Sequence, residues 1–431
     1  MKTDSLYKLL EDSNFNLSTD SRKIAGDEIF FAIKGENFDG NRFAGDALAR
    51  GARLAVIDDS KYKTDNTVVV EDVTRELQNL AKIYRLKLNI PVLAITGSNG
   101  KTTTKELLAR VLAKGYNIHY TRGNLNNHLG VPLTILSCKA DSQFMIIEMG
   151  ANHKGEIAEL CEIAQPDYGL ITNIGKAHLE GFGSLEAVIE AKSELYDYLL
   201  RNKGAVFYND KNDLLRSIIK KLNIKAIPYS HPGKNKLCVK EVKQGPELEV
   251  LIDINKEKYS IETNLFGLHN LENVLAAIAL GLYFNIKPQK IQVSIESYMP
   301  DNNRSQIFKT GKNVLICDSY NANPVSMKRS IESFSEYPAD RKLIILGDMF
   351  ELGQYSNREH EDLLKLVNEI DKFDIILVGS IFSSLAEKYN MLSFRSSEEL
   401  VQFLSENPVR NSHVLIKGSR AMELEKIYGL M

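Results

Sequence analysis

Short apolar runs bounded by turn residues set the pattern at the start of the chain. They fall at 29–33, 53–57 and 67–70, separated by signals such as Phe38-Asp39-Gly40. Runs of this length read as strands and predict a small α/β domain over residues 1–85. From residue 86 the pattern changes. Continuous apolar runs at 91–95, 144–149, 168–174 and 204–209 alternate with stretches of helical period. Such alternation predicts a mostly parallel sheet covered on both faces, over 86–298. Beyond Pro300 the alternation repeats, with strands expected at 314–317, 342–346, 374–378 and 413–416. This gives a third α/β domain over 299–431. Its strands end at Asp318, Asp348, Gly379 and Lys417, at the sheet edge where open α/β sheets bind ligands.

The first central strand runs into Thr96-Gly97-Ser98-Asn99-Gly100-Lys101-Thr102-Thr103-Thr104. A helix with an apolar face of Leu107, Leu108, Val111 and Leu112 follows. Glycines let backbone N–H groups approach a phosphate, and a helix N-terminus favours anions. Gly97, Ser98, Asn99, Gly100 and Thr103 would line that cradle. Lys101 would reach the β- and γ-phosphates of ATP, and the Thr102 hydroxyl would ligate Mg²⁺. Ile95 stands where the usual Gly-x-x-x-x-Gly-Lys loop has its first glycine. The alternative is a glycine-rich turn that binds nothing.

Composition narrows the field. At about 150 residues per domain, 431 residues accommodate about three domains. A net charge of -2 gives no footprint for nucleic acid. The four cysteines form no Cys-x-x-Cys pair, and Cys317, inside an apolar run, reads as a core residue. Residues 1–8 show no apolar signal core. The longest apolar stretch, 274–284, falls short of the ~20 residues that span a bilayer. A cytoplasmic protein without membrane insertion is expected.

Three further residues carry candidate chemistry. Glu148 ends an apolar strand, where a Mg²⁺ ligand facing the phosphate loop would sit. His178 follows the next strand, where a lone loop histidine is more often structural. Lys192 lies on a helical stripe with residues 185, 188, 189, 196 and 199. Burial would lower its pKa and free its amine, which could then take up CO₂ as a carbamate. Alternatively the lysine snorkels from a helix edge.

Gly97-Ser98-Asn99-Gly100-Lys101-Thr102-Thr103 resembles the shortened phosphate loop of the Mur ligases and folylpolyglutamate synthases. The resemblance to Mur ligases extends over nearly the whole chain. It implies a P-loop ATPase-like central domain, a Rossmann-like carboxy-terminal domain, and a carbamylated lysine in a context like Glu190-Ala191-Lys192. Glu148 and His178 match the metal-binding positions upstream of that lysine. Thr19-Asp20-Ser21-Arg22, Ala32-Ile33-Lys34-Gly35 and Phe38-Asp39-Gly40 look like a uridine-nucleotide site, with Ser21 and Arg22 as contacts. Gly123 to Pro132 resembles the loop that meets the UDP-muramoyl substrate through Asn126 and Asn127, although turn chemistry also explains its asparagines. Gly267-Leu268-His269-Asn270-Leu271-Glu272-Asn273 resembles the adenine border, with Asn273 as contact or helix cap. Arg304 matches a phosphate-bracing arginine and Asp318 a nucleotide-contacting aspartate.

Asp318-Ser319-Tyr320-Asn321-Ala322-Asn323-Pro324, 346–353 and 417–420 are similar to the branch that adds D-alanyl-D-alanine to UDP-N-acetylmuramoyl-tripeptide. The resemblance makes Tyr320, Asn321 and Asn323 acceptor contacts, although the segment could be only a helix-capping turn. It implies ATP-driven ligation through an acyl phosphate, with Lys101, Arg304 and two Mg²⁺ ions supplying positive charge. A monomer is expected. The Asp-Asn-Pro-Arg motif of a diaminopimelate-adding relative does not occur, nor does a guanine-reading Asn-Lys-x-Asp. Folylpolyglutamate synthase, a GTP switch and an inactive binding homologue remain the competing readings.

Overall fold

The structure, a computed structural model, describes residues 3–229, 237–245 and 247–431. Met1 and Lys2, the first residues of the segment expected to lack a signal core, lie outside them. The amino-terminal sheet has four parallel strands in the order Leu17–Ser18, Ile29–Phe31, Leu54–Ile57, Thr67–Val69. Helix Val73–Leu88 leaves this sheet, capped by the Asp72 carboxylate on the Arg75 N–H. The boundary expected after residue 85 falls inside this helix. Leu77, Leu80, Ala81 and Tyr84 share one core with Val131 and Ile135 of the following domain, so the helix packs the two together.

The central sheet is parallel throughout, in the order Ala226–Pro228, Ala205–Tyr208, Tyr168–Ile171, Val92–Thr96, Phe144–Glu148, Ile118–Tyr120. Val92–Thr96 and Phe144–Glu148 are buried along their whole length, as parallel strands covered on both faces must be. From Val92–Thr96 the chain first builds towards one edge and later towards the other. The carboxyl end of this strand is therefore the topological switch point, where open α/β sheets bind ligands.

A three-stranded antiparallel sheet, Leu237–Gln244, Leu248–Ile254 and Glu257–Glu262, follows the central sheet; the alternation of apolar runs and helical stretches gives no sign of it. Leu248, Val250, Ile252 and Ile254 alternate with less buried neighbours, the period-2 signature of a half-buried strand. The third sheet runs Gln306–Lys309, Val314–Cys317, His413–Lys417, Lys342–Gly347, Asp374–Val378, Leu392–Phe394. It is parallel except for its first strand. No helix among the described residues is long and apolar enough to cross a membrane.

Candidate active site

The loop after Val92–Thr96 is shaped by backbone that only glycine tolerates. Gly97 has φ +142, and a Cβ there would lie 2.1 Å from the Thr172 hydroxyl oxygen; Gly100 has φ +80, with Asn273 Oδ1 2.4 Å from the same hypothetical atom. Hydrogen bonds clamp the loop to the end of the neighbouring strand. The Asn99 N–H donates to Asn173 Oδ1 (3.0 Å), Thr172 Oγ1 to the Asn99 carbonyl (2.6 Å), and Ser98 Oγ to the Gly175 carbonyl (3.0 Å). Helix Lys101–Leu112 starts directly behind it. Its first N–H groups and its dipole suit a phosphate.

A cleft of about 460 Å³ opens above this loop, between the central and carboxy-terminal domains. From the loop, Ser98, Asn99, Gly100, Lys101 and Thr103 line it. Asn126, Asn127, Glu148, His178 and Asn273 complete the central wall. Across the gap stand Arg304, Asp318, Tyr320, Asn321 and Asn323. Lys101 Nζ donates to the Gly97 carbonyl at 2.6 Å. Burial holds its pKa below the usual lysine value; Glu148 opposes that shift and Arg304 adds to it. The Arg304 guanidinium carbon lies 3.8 Å from the Tyr320 ring centroid, and its Nε is buried without a hydrogen bond.

Two buried side-chain oxygens beside the loop, Glu148 Oε2 and Thr102 Oγ1, lack hydrogen bonds. Glu148 is 1% exposed. Its Oε1 accepts from Asn126 Nδ2 at 2.8 Å, while Oε2 has no hydrogen bond. Thr102 Oγ1 is also buried without one. Among the described residues no group of three His, Cys, Asp or Glu side chains converges on a metal position. A hydroxyl and a carboxylate beside a phosphate loop nevertheless fit Mg²⁺, which usually takes one or two protein oxygens, phosphates and water. His178 Nδ1 lies 2.5 Å from Glu351 Oε2, leaving Nε2 as the other ring nitrogen.

Lys192, on helix Leu185–Arg201, is 2% exposed. Its ammonium donates to the Ala151 carbonyl at 3.3 Å and stands 5.4 Å from the Phe182 ring centroid. Burial, then the nearby Lys101 charge, brings its pKa down to about 7. The side chain is therefore enclosed rather than snorkelling. It does not line the main cleft; the Ala151 it bonds lines the adjoining lobe, together with Lys101, Glu156 and His178.

Several expected contacts already have protein partners. Asn273 accepts from Thr104 Oγ1 (3.0 Å) and donates to Asn270 Oδ1 (2.8 Å), bracing the phosphate loop from behind. Asn323 caps helix Pro324–Ser335 through the Ser326 N–H and donates to Asn99 Oδ1 at 2.8 Å, so it joins the carboxy-terminal domain to the loop. Asn321 Oδ1 accepts from the Ala322 N–H. Asp318 forms a buried 2.6 Å ion pair with Lys417 and also accepts from Ser330 Oγ and the Ser305 N–H. Burial pushes its carboxyl up, but Lys417 and His269 outweigh that and hold it low. The Asp348 carboxylate accepts from the Ile381 and Phe382 N–H groups, a helix cap rather than a free ligand. Ser21 and Arg22 are not part of this cleft. Arg22 is exposed and bonded to Asp20 within its own turn, at 2.9 Å from both Nε and a terminal nitrogen.

Lys105 was not anticipated. It is fully buried, with Nζ 3.1 Å from Glu106 Oε1 and 3.7 Å from Glu148 Oε2. Its position, three residues before Leu108 and seven before Leu112, is the same apolar-stripe signal that singles out Lys192. Lys105→Met keeps the volume but leaves the buried Glu148 without its nearest cation. A destabilisation of about 3 kcal/mol is expected, read as a lower denaturation midpoint; an unchanged midpoint would show that the pair contributes nothing.

Family comparisons cover nearly the whole chain. Residues 16–96 match the model of the Mur ligase family catalytic domain, 95–281 that of the Mur ligase middle domain, and 303–420 that of the Mur ligase glutamate ligase domain. The UDP-N-acetylmuramoyl-tripeptide–D-alanyl-D-alanine ligase of Bacillus subtilis is 34% identical, over 95% of this chain and 92% of its own. The ligase of the same name from Haemophilus influenzae is 33% identical, over 97% and 94%. The crystal structure of MurF from Acinetobacter baumannii superposes with a TM-score of 0.87 at 28% identity, covering 98% of this chain and 97% of that one. MurF from Thermotoga maritima in complex with ADP gives 0.84 at 25% identity, covering 97% of each. The phosphate loop, the cleft and these relatives together place the chain in the Mur ligase family, among the UDP-N-acetylmuramoyl-tripeptide–D-alanyl-D-alanine ligases.

Proposed function

We propose that this protein joins D-alanyl-D-alanine to the terminal carboxylate of UDP-N-acetylmuramoyl-tripeptide, converting ATP to ADP and phosphate. The observation that carries the reading is the convergence of Lys101, Glu148, His178 and Arg304 on one cleft above a glycine-shaped phosphate loop. The tripeptide carboxylate attacks the γ-phosphorus and ADP leaves. The amine of the dipeptide then attacks the acyl carbon and phosphate leaves. Positioning and charge neutralisation dominate such a reaction. Lys101 and Arg304 supply cationic groups from opposite walls, and Asn126 holds Glu148 in place. Mg²⁺, held by Thr102 and Glu148 with His178 close by, would neutralise phosphate charge.

Lys192 is read as carbamylated. Its free amine adds to CO₂ with loss of a proton, giving an anion where an ammonium now sits. A pKa of about 7 leaves a large share of this lysine neutral at neutral pH, against about one in a thousand or fewer for an ordinary lysine. The domain roles follow the family order: residues 1–85 for the uridine nucleotide, including Ser21 and Arg22; 86–298 for ATP; 299–431 for the acceptor and for closing over the nucleotide. Asn273 and Asp318 border the nucleotide. Tyr320, Asn321 and Asn323 border the acceptor, with Asn323 also tying the two domains together. One chain contains every group invoked, and we read the active unit as a cytoplasmic monomer.

Acceptor choice tests this reading. With UDP-N-acetylmuramoyl-tripeptide and ATP present, D-alanyl-D-alanine should support phosphate release at least ~100-fold better than D-glutamate, L-lysine or diaminopimelate. A single amino acid that proves the better acceptor would overturn the substrate assignment and leave the ligase chemistry standing.

A further inference from the structure

The segment that carries His178 belongs to the central domain by sequence but is fastened to the carboxy-terminal domain. Leu179 is 5% exposed and sits in the core formed by Met349 and Leu352. The Glu180 N–H donates to the Glu351 carbonyl at 3.0 Å. Tyr355 Oη donates to the Gly183 carbonyl at 3.3 Å, and Lys176 pairs with Glu359 at 2.5 Å. The Glu351 carboxylate reaches His178 Nδ1 at 2.5 Å. Both residues adopt left-handed backbone, φ +51 at His178 and +61 at Glu351. Non-glycine residues rarely adopt this conformation unless the surroundings impose it. Beyond Gly183 the chain enters the helix bearing Lys192.

A carboxylate on one imidazole nitrogen fixes the tautomer and turns the other nitrogen towards its task. Here the carboxylate and the imidazole come from different domains. We propose that Glu351 is a positioning residue: it sets the direction of His178 across the domain junction, and the Leu179 anchor makes that setting conditional on docking of the carboxy-terminal domain. Docking then brings three things to the cleft in one event, namely Arg304, the Asn323 bond to the phosphate loop and an oriented His178. The inference rests on the proposed role of His178 in the cleft.

The test uses the full chain with Glu351→Ala, Glu351→Gln, Leu179→Ala and His178→Ala. Glu351→Ala should lower kcat about 30-fold while ADP affinity, measured by calorimetry, stays within about twofold because the phosphate loop is untouched. Glu351→Gln should recover part of that loss, since its amide oxygen is still an acceptor facing Nδ1. Without ATP or metal, trypsin should cut after Lys176 about tenfold faster in Glu351→Ala and in Leu179→Ala, as the fastening opens. Unchanged kcat and unchanged cleavage in Glu351→Ala, with His178→Ala inactive, would overturn this inference and leave the site reading intact. Unchanged activity in His178→Ala would overturn the site reading itself. Equal losses in the Ala and Gln variants, accompanied by weaker ADP binding, would show general damage and contradict a positioning role.

Discussion

Lys101→Ala is expected to fold normally and to lose about a thousandfold or more in turnover. The loss follows from the position of the side chain. Lys101 is the first residue of its helix and the cation of the phosphate loop, so removing it takes away charge where the transferring phosphoryl group develops it. Alanine at that helix position costs little, since it is the best helix former. The bond lost, Nζ to the Gly97 carbonyl, lies within the loop itself. Steady-state phosphate release and a thermal melt decide the matter: turnover near wild type in a folded Lys101→Ala protein would remove the nucleotide assignment from this loop.

Lys192→Ala is the second large effect, about a hundredfold or more in kcat. The fold should survive, because the ammonium makes a single weak bond, 3.3 Å to the Ala151 carbonyl, and removing a buried charge relieves its desolvation. What disappears is the amine proposed to take up CO₂. The vacated volume, a lysine side chain beyond Cβ, borders Phe182 and the Ala151 carbonyl. Acetate or propionate should therefore restore part of the activity of Lys192→Ala and none of that of Lys101→Ala. An active Lys192→Ala protein, or an intact Lys192 ammonium in a metal-loaded complex, contradicts the carbamate.

Legibility in the sequence followed physical distinctness. Strands such as Val92–Thr96 and Lys342–Gly347 are buried on both faces and therefore stand out as apolar runs. The short strands Ile118–Tyr120, Ala226–Pro228, Gln306–Lys309 and Leu392–Phe394 lie at sheet edges, paired on one side only, where partial exposure removes the run. The antiparallel strands Leu237–Gln244 and Glu257–Glu262 carry many charges on their exposed face, which hid them. The phosphate loop was legible because its glycines answer a local backbone demand. Lys192 was legible because a charge on an apolar stripe is conspicuous; Lys105 carries the same signal. The partners of Asn273, Asp318 and Asn323 were not legible, since Thr104, Lys417 and Asn99 come from distant segments. For the same reason nothing in the motif around Glu351 pointed to His178.

The most direct measurement follows the oxygen atoms. UDP-N-acetylmuramoyl-tripeptide labelled with heavy oxygen in its terminal carboxylate is incubated with ATP and D-alanyl-D-alanine, and both products are weighed by mass spectrometry. The account predicts the dipeptide-extended product together with phosphate that carries one labelled oxygen, because the carboxylate attacks phosphorus and that oxygen leaves with it. Unlabelled phosphate, or ADP formed without the extended product, would contradict an acyl-phosphate ligase.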